Sequence, residues 1–156
     1  MEGTMTARDR WEPFLKLLKI TSSLEEFLVL YHRIFQPFPG MIEVLKQLKK
    51  NYRLGLISNQ SKDTLKYHTV EHKDILALFD FSVYSCEVFV KKPNVKIYEI
   101  ALHHANNPPE NCIFIDDKKE NLITAKHLGM KTVLFKNPKQ LLEALKKLGL
   151  NMLGEE

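Results

Sequence analysis

The 156-residue sequence predicts an α/β fold of three layers, with a parallel β-sheet between two layers of helices. Short apolar runs alternate along the chain with segments whose apolar residues recur at helical spacing. This order is typical of a parallel sheet that helices cover on both faces. Polar residues follow directly after the apolar runs. The carboxyl ends of the strands form the ligand-binding edge of such sheets, so these polar residues are candidate site residues.

The first part of the chain is predicted to be helical. Ser23 and Glu26 have the spacing of a capping box, and an apolar stripe continues behind them. The segment QPFPG at 36–40 ends this region, because proline cannot continue a helix. We therefore divide the chain into a helical segment at 1–38 and an α/β core at 39–156.

The core region has recognisable helix starts and strands. Ser61, Asn94 and Asn137 are predicted to cap helices, since their side chains can accept backbone N–H groups. Cys86 and Cys112 are expected to be buried, reduced thiols inside strands. The predicted strands lie at 53–57, 81–85, 112–115 and 132–135.

Composition and charge exclude several classes of function. The formal net charge is +4, but the lysines are scattered along the chain rather than gathered on one segment with aromatic residues, so we expect no nucleic-acid partner. No apolar run is long enough to span a bilayer, and the first residues lack the apolar core of a signal peptide. We therefore expect no membrane association and a cytoplasmic location.

Three sets of polar residues follow the predicted strands. Ser58 and Asn59 end the first strand, Lys92 precedes a proline after the second, and Asp116 and Asp117 end the third. Two adjacent carboxylates repel each other, and their hard oxygen atoms suit Mg²⁺. A hydroxyl and an amide can hold phosphate oxygens, and a lysine can neutralise charge on a transferring phosphoryl group. Together these groups predict a metal-assisted phosphoryl-transfer site.

A resemblance to a known family rests on three segments, LGLISNQS, FSVYSCEVFVKKPNVKIYEIAL and CIFIDDKKENLITAKHLGMKTVLF. They resemble the second, third and fourth motifs of the haloacid dehalogenase-like (HAD) hydrolases, in the subfamily with a helical cap, and the similarity covers about residues 36–136. The resemblance implies a three-layer, Rossmann-like parallel sheet of HAD type, with residues 1–38 as a partial helical cap. It also implies a Mg²⁺-dependent phosphatase of small phosphorylated metabolites.

The same resemblance implies a role for each candidate residue. Ser58 would bind the transferring phosphate, with Asn59 beside it. Lys92 would stabilise the phosphoryl charge and the nucleophile. Asp116 and Asp117 would hold Mg²⁺, directly or through water.

The first motif of the family is absent from this sequence. The resemblance calls for a nucleophilic aspartate in a D-x-D-x-(T/V) motif on a central strand, between the strands that end at Ser58 and at Asp116. None of the six aspartates lies in such a motif. We therefore expect the sheet to lack its first strand, the Mg²⁺ affinity to be weakened and the chain to be incomplete or inactive as a phosphatase.

A missing central strand leaves buried backbone groups to be satisfied in another way. The flanking strands could pair directly, a partner could donate a strand, or the sequence could be a piece of a longer protein, which we favour. An exposed gap in a sheet also favours a homodimer formed through the incomplete sheet.

Other interpretations of these residues stay open. The chain could be a non-catalytic HAD-like module that binds a phosphorylated ligand or a protein partner. Asp116 and Asp117 could cap a helix, because aspartate is favoured at helix N-termini. A remote alternative is a zinc protease, since His68, Glu71 and His72 fit the pattern H-x-x-E-H.

Overall fold

The computed structural model describes residues 7–150, in which helices alternate with short parallel strands as predicted. The helices are α1 (Ala7–Leu17), α2 (Leu24–Arg33), α3 (Met41–Lys49), α4 (Lys62–Glu71), α5 (Lys73–Leu76), α6 (Ser85–Val88), α7 (Val95–Ala105), α8 (Lys119–His127) and α9 (Pro138–Lys147), with a 3₁₀ turn at Pro109–Asn111. The strands are β1 (Gly55–Ser58), β2 (Phe81–Tyr84), β3 (Ile113–Asp116) and β4 (Lys131–Leu134). No helix in the described range is both long and apolar enough to cross a lipid bilayer.

The predicted helix caps are confirmed. The Ser23 hydroxyl accepts the backbone N–H of Glu26 at 3.2 Å, and the Glu26 carboxylate accepts that of Ser23 at 2.9 Å, which completes the capping box before α2. The side chains of Ser61, Asn94 and Asn137 likewise accept backbone N–H groups in the first turns of α4, α7 and α9. These local interactions fix where each helix begins.

The strands form two separate parallel pairs within the described residues. Strand β1 pairs with β2 in the register Ile57 to Val83, and β3 pairs with β4 in the register Ile115 to Val133. No described strand joins β1 to β3. This arrangement agrees with a sheet that lacks a strand between β1 and β3. The alternative in which the flanking strands pair directly is wrong for the described part of the chain.

Helices cover both faces of the strand pairs and produce the predicted three layers. On one face, α3 and α9 pack with β4 through Val44, Leu48, Val133, Leu141 and Leu145. On the other face, α7 and α8 pack with β2 and β3 through Val83, Ile97, Tyr98, Ala101, Phe114 and Ala125. The rings of Tyr98 and Phe114 meet at 5.2 Å, and Val83 of the other strand pair belongs to the same cluster. This shared cluster holds the two strand pairs in one body.

The segment before residue 39 forms a helical pair, α1 and α2. The ring of Trp11 on α1 lies 5.1 Å from Phe27 and 4.6 Å from Tyr31 on α2, which holds the pair together. The His32 ring stacks on Tyr67 of α4 at 4.4 Å and so connects the pair to the core region. The domain boundary at residue 38 stays a prediction.

The sequence analysis placed both cysteines inside strands, and this prediction is wrong. Cys86 is buried in α6, and Cys112 is partly buried just before β3; both are free thiols. Cys86 lies in α6 because the chain turns into this short helix directly after Tyr84, and Cys112 lies outside β3 because this strand begins one residue later than predicted. Helices of four residues, such as α5 and α6, are too short to show helical spacing in a sequence.

Candidate functional site

The Lys92 side chain connects the carboxyl ends of β1 and β3. Its ammonium Nζ donates one hydrogen bond to the Ile57 carbonyl at 2.9 Å and another to Asp116 Oδ2 at 2.8 Å. The Lys92 side chain is 12% exposed and that of Asp116 is 5% exposed. The structure therefore brings together two of the predicted site residues, from segments that belong to different strand pairs.

The side chain of Asn59 holds the backbone of Lys92 in place. Asn59 Oδ1 accepts the Lys92 backbone N–H at 2.8 Å, and Asn59 Nδ2 donates to the Lys92 carbonyl at 2.9 Å. The next peptide bond, between Lys92 and Pro93, is cis, and Thr124 on α8 donates to the Pro93 carbonyl at 2.9 Å. The segment that carries Lys92 is thus fixed from the β1 side and from the α8 side.

Asp116 accepts hydrogen bonds at both carboxylate oxygens. Its Oδ1 accepts the Lys118 backbone N–H at 2.9 Å and Asn121 Nδ2 at 2.9 Å, while Oδ2 accepts from Lys92. Burial, the largest single influence, would raise the pKa of Asp116. The hydrogen bonds from Lys92, Asn121 and Lys118, together with the charge of Lys92, outweigh burial and lower this pKa. The Asp116 side chain is therefore a carboxylate at neutral pH.

Asn121 is a site residue that the sequence analysis missed. It is buried on α8, where its side chain bonds Asp116 and its backbone carbonyl accepts the hydroxyl of Tyr98 at 3.0 Å. Asn121 lies four residues before Ala125, on the buried face of the helix. An amide on an apolar helix face was the available signal, because a buried amide needs partners.

Ser58 ends β1 and Asp117 directly follows β3, and both side chains remain available to a ligand. Ser58 is the last residue of β1 and is partly buried, and its hydroxyl forms no hydrogen bond with any described residue. Asp117 follows β3 directly and is exposed, and its carboxylate has no ion pair within residues 7–150. The Ser58 hydroxyl can thus donate to or accept from a molecule that enters at this edge, and the Asp117 carboxylate can accept from it.

The residues present fit Mg²⁺ as ligands. Asp116 and Asp117 offer carboxylate oxygens, although no group of three or more His, Cys, Asp or Glu side chains that could hold a metal occurs in the described range. Mg²⁺ usually keeps several waters and is held by one or two carboxylates together with the phosphate of a substrate. The two carboxylates are therefore ligands of the kind that Mg²⁺ uses, although the Lys92 ammonium competes with a cation for Asp116.

Two of the alternative interpretations, the helix cap and the zinc site, gain little from the geometry. The N-cap residue of α8 is Lys118, not either aspartate, although Asp116 does accept the N–H of Lys118 at the helix entry. His68 and His72 lie at the end of α4 with their rings stacked at 5.2 Å. No third metal-binding side chain joins them within the described part of the chain.

Known proteins with similar sequences include phosphatases. Residues 8–135 match the sequence profile of a family described as haloacid dehalogenase-like hydrolase. The chain is 35% identical over 114 residues to a glyceraldehyde 3-phosphate phosphatase of Methanothermobacter thermautotrophicus, covering 69% of this chain and 50% of that protein. It is 30% identical over 110 residues to a pyrimidine 5'-nucleotidase of Escherichia coli, covering 69% of this chain and 48% of that protein. The chain spans about half the length of these relatives.

A solved structure shares the fold. A HAD family enzyme from Bacteroides thetaiotaomicron, in a magnesium complex, matches with a TM-score of 0.76 at 19% identity, covering 92% of this chain and 76% of that chain. At this level of identity the similarity establishes the fold alone, and it confirms the predicted α/β fold class.

Proposed function

The chain belongs to the haloacid dehalogenase-like hydrolase family, and from this premise we propose that it carries the phosphate-binding and metal-binding part of a phosphatase site. The observation that carries the proposal is the position of the Lys92 ammonium between the end of β1 and the buried carboxylate of Asp116. Similarity to a glyceraldehyde 3-phosphate phosphatase and to a nucleotidase supports small phosphorylated metabolites as ligands.

Each residue has a defined task in this proposal. An ammonium group has three N–H donors, and Lys92 uses one for Ile57 and one for Asp116, so the third can donate to a phosphate oxygen. The Ser58 hydroxyl donates to a second phosphate oxygen. Asn59 acts as a positioning residue, because its amide nitrogen and its amide oxygen both form hydrogen bonds with the Lys92 backbone.

Asp116 and Asp117 are the residues that would hold Mg²⁺. When bound, the ion would neutralise charge on the phosphate oxygens. Asn121 and the Lys118 N–H keep the Asp116 carboxylate oriented at the end of β3, which limits the reorganisation needed on binding.

We propose further that this chain alone hydrolyses phosphate esters slowly or not at all. No D-x-D-x-(T/V) motif is present in the sequence, so the carboxylate that would attack phosphorus in the family has no counterpart. Binding and orientation of phosphate do not require that carboxylate, whereas turnover does.

A second candidate function is a non-catalytic module that binds phosphorylated ligands. The favouring observation is that hydrogen bonds from Lys92, Lys118 and Asn121 orient the Asp116 carboxylate. Groups of this chain thus hold the site in place, and binding needs no chemistry at phosphorus.

The decisive experiment measures binding and turnover together. Calorimetry with inorganic phosphate and Mg²⁺, and hydrolysis of 4-nitrophenyl phosphate, are compared for the wild-type chain, Asp117→Asn and the surface control Asp74→Asn. We expect Mg²⁺-dependent phosphate binding that weakens in Asp117→Asn but not in Asp74→Asn, and little or no hydrolysis. Absence of phosphate binding in a folded sample would overturn the proposed site. Turnover that Asp117→Asn abolishes would overturn the proposed inactivity.

A further inference from the structure

A shallow cleft, largely open to solvent, lies between α4 and α6. Its volume is about 590 Å³, which lies in the range of small-molecule sites. The lining residues are Lys62, Leu65, Lys66, Cys86, Glu87 and Phe89. None of them belongs to the phosphate or metal site described above.

Both walls of the cleft are continuous with that site. The Gln60 backbone N–H donates to the Ser85 hydroxyl at 3.0 Å, and this hydroxyl donates to the Gln60 carbonyl at 3.3 Å, which ties the start of α4 to the start of α6. Asn59 and Lys92, which lie just outside these two walls in the chain, are themselves hydrogen-bonded to each other. The two walls of the cleft are therefore connected, along the chain, to the segments that carry Ser58 and Lys92.

Phe89 presents an aromatic ring at the rim of the cleft. The residue directly follows α6 with a φ of 57°, which is uncommon for a side chain of this size, and it is 67% exposed. An aromatic ring left in solvent buries little apolar surface of its own, but it offers a flat face to a ligand. Strained and exposed residues of this kind cluster at ligand sites.

The charges of the cleft favour an anion. Lys62 and Lys66 are four residues apart on α4 and therefore share one face of the helix, with Leu65 beside them. Neither ammonium forms an ion pair with a described residue. Glu87 is the one acidic side chain among the lining residues, so the lining carries a net positive charge.

We propose that this cleft is a subsite for the organic part of the phosphorylated ligand, and that it selects molecules with a flat apolar group and a second anionic group. The flat group lies against Phe89, and the second anion lies near Lys62 and Lys66. The proposal rests on the proposed function, because it assumes that the phosphate of the ligand is held at Ser58 and Lys92. It assigns selectivity to the α/β core rather than to the helices before residue 39.

Three non-hydrolysable probes test the subsite by calorimetry in the presence of Mg²⁺. Inorganic phosphate reports the phosphate site, phenylphosphonate adds the flat group, and 4-carboxyphenylphosphonate adds the second anion. In the wild-type chain we expect affinity to rise in that order, with the carboxyl group contributing about two- to fivefold, as ion pairs near a surface do.

Variants separate the two contributions. Lys62→Ala/Lys66→Ala should remove the advantage of the carboxyl group and leave phenylphosphonate unchanged. Phe89→Gly, which suits a positive φ, should weaken both aryl probes about threefold or more and leave inorganic phosphate unchanged. Lys146→Ala on α9, away from the cleft, is the matched control and should change nothing.

The outcomes distinguish failure of the subsite from failure of the proposed function. If inorganic phosphate binds and Ser58→Ala weakens it, but the three probes bind alike or the cleft variants behave as wild type, the subsite is wrong and the function stands. If inorganic phosphate does not bind, or Ser58→Ala leaves it unaffected, the proposed function fails and the subsite fails with it.

Discussion

The ammonium group of Lys92 joins two strand pairs that share no backbone pairing in the described range. Asp116 is almost fully buried, and a buried carboxylate is costly unless it is paired and hydrogen-bonded. Lys92, Asn121 and the Lys118 N–H satisfy both conditions. Lys92, which we propose binds phosphate, therefore also stabilises the fold.

Replacing Lys92 by methionine should destabilise the protein. The substitution leaves the carboxylate of Asp116 buried without a counter-charge, and we expect a loss of about 2–4 kcal/mol in the free energy of unfolding. Urea unfolding followed by circular dichroism measures it. The exposed Lys96→Met should stay within about 0.5 kcal/mol of wild type.

A double variant tests whether the unpaired charge is the cause. Adding Asp116→Asn to Lys92→Met removes the buried charge and should restore part of the lost stability. If Lys92→Met unfolds at the same urea concentration as Lys96→Met, the ion pair contributes nothing to stability and the structural role assigned to Lys92 is wrong.

Part of the site follows from the sequence, and part depends on packing. The positions of Ser58 and Asp116 at the ends of β1 and β3, with Asn59 directly after β1, could be predicted from the apolar runs that precede them. The pairing of the Asn59 amide with the Lys92 backbone could not, because it joins residues 33 apart through a side chain and a main chain. Asn121 was missed because its role appears only when α8 is placed against β3.

A group of histidines lies where α2 meets α4. His32 is buried, with 6% of its surface exposed, and its ring stacks on Tyr67. Its Nε2 has no hydrogen-bond partner among the described residues. Burial lowers the pKa of His32, partly offset by the charge of Asp63. The pKa of His68 is lowered by burial, by His72 and by His32. The folded state therefore favours neutral imidazoles here.

Because His32 is buried, the protein should become less stable as the pH is lowered. Its folded pKa lies below its unfolded value, so between the two the unfolded chain binds more protons and stability is lost as pH falls from about 6.5. His32→Phe keeps the stacking on Tyr67 but cannot titrate, so its melting temperature should drop less than that of wild type between about pH 8 and pH 5.

The exposed His127→Phe serves as the control for replacing a surface histidine by phenylalanine. The remaining pH dependence in His32→Phe reports other groups, including His68. Melting curves of wild type and His32→Phe that fall in parallel over this pH range would show that burial of His32 has no effect on the proton balance of folding.

At the scale of elements, the local sequence predicted where the long helices begin but did not reveal the short helices α5 and α6. Ser23, Ser61, Asn94 and Asn137 cap helices through bonds to residues two or three positions away, so their sequence neighbours suffice to predict them. The short helix α6 depends instead on Ser85, whose hydroxyl bonds Gln60 in a distant segment. No local pattern reports that contact.

The pairing of β1 with β2 depends on the absence of a side chain at Gly55. Gly55 faces Phe81 across the pair, and a Cβ atom at Gly55 would collide with the Phe81 ring, which is itself stacked on His104. Gly55→Ala should therefore cost about 1–3 kcal/mol by overpacking. Thermal and urea unfolding measure the loss.

A double-mutant cycle isolates the collision. Phe81→Leu replaces the ring by a smaller side chain. The double variant Gly55→Ala/Phe81→Leu should therefore be more stable than the sum of the two single losses predicts. If the two losses simply add, the Phe81 ring moves aside at no cost and the glycine is not required by this contact.

At the scale of the whole molecule, the missing motif predicted a missing strand but not how the rest would respond. The strands β1 and β3 remain apart because α7 packs on β1 and β2 while its Tyr98 reaches Phe114 of β3. The spacing of the two pairs is thus set by a shared helical layer. Such packing depends on the complete set of side chains and could not be read from strand patterns alone.

Unpaired strand edges should make this chain self-associate. Each of the four described strands has one unpaired edge, and free edges are templates for pairing with another chain. We expect pairing at β1 and β3, because the first motif of the family, which the sequence lacks, belongs to a strand between them. We expect sedimentation velocity to show a dimer whose population grows with concentration. Hydrogen exchange should then slow at β1 and β3 more than at β2 and β4.

The exposed apolar side chains of α2 offer a different route to association, and one variant distinguishes the two. Leu30 is 61% exposed on α2, so Leu30→Glu should weaken a dimer that forms through this helix and leave a dimer formed through the strand edges unchanged. We expect Leu30→Glu to associate as wild type does. A variant that stays monomeric, with exchange slowed at α2 in the wild-type dimer, would assign the contact to the helical segment. A wild-type chain that is monomeric at every concentration would show that the open edges are protected within the chain itself.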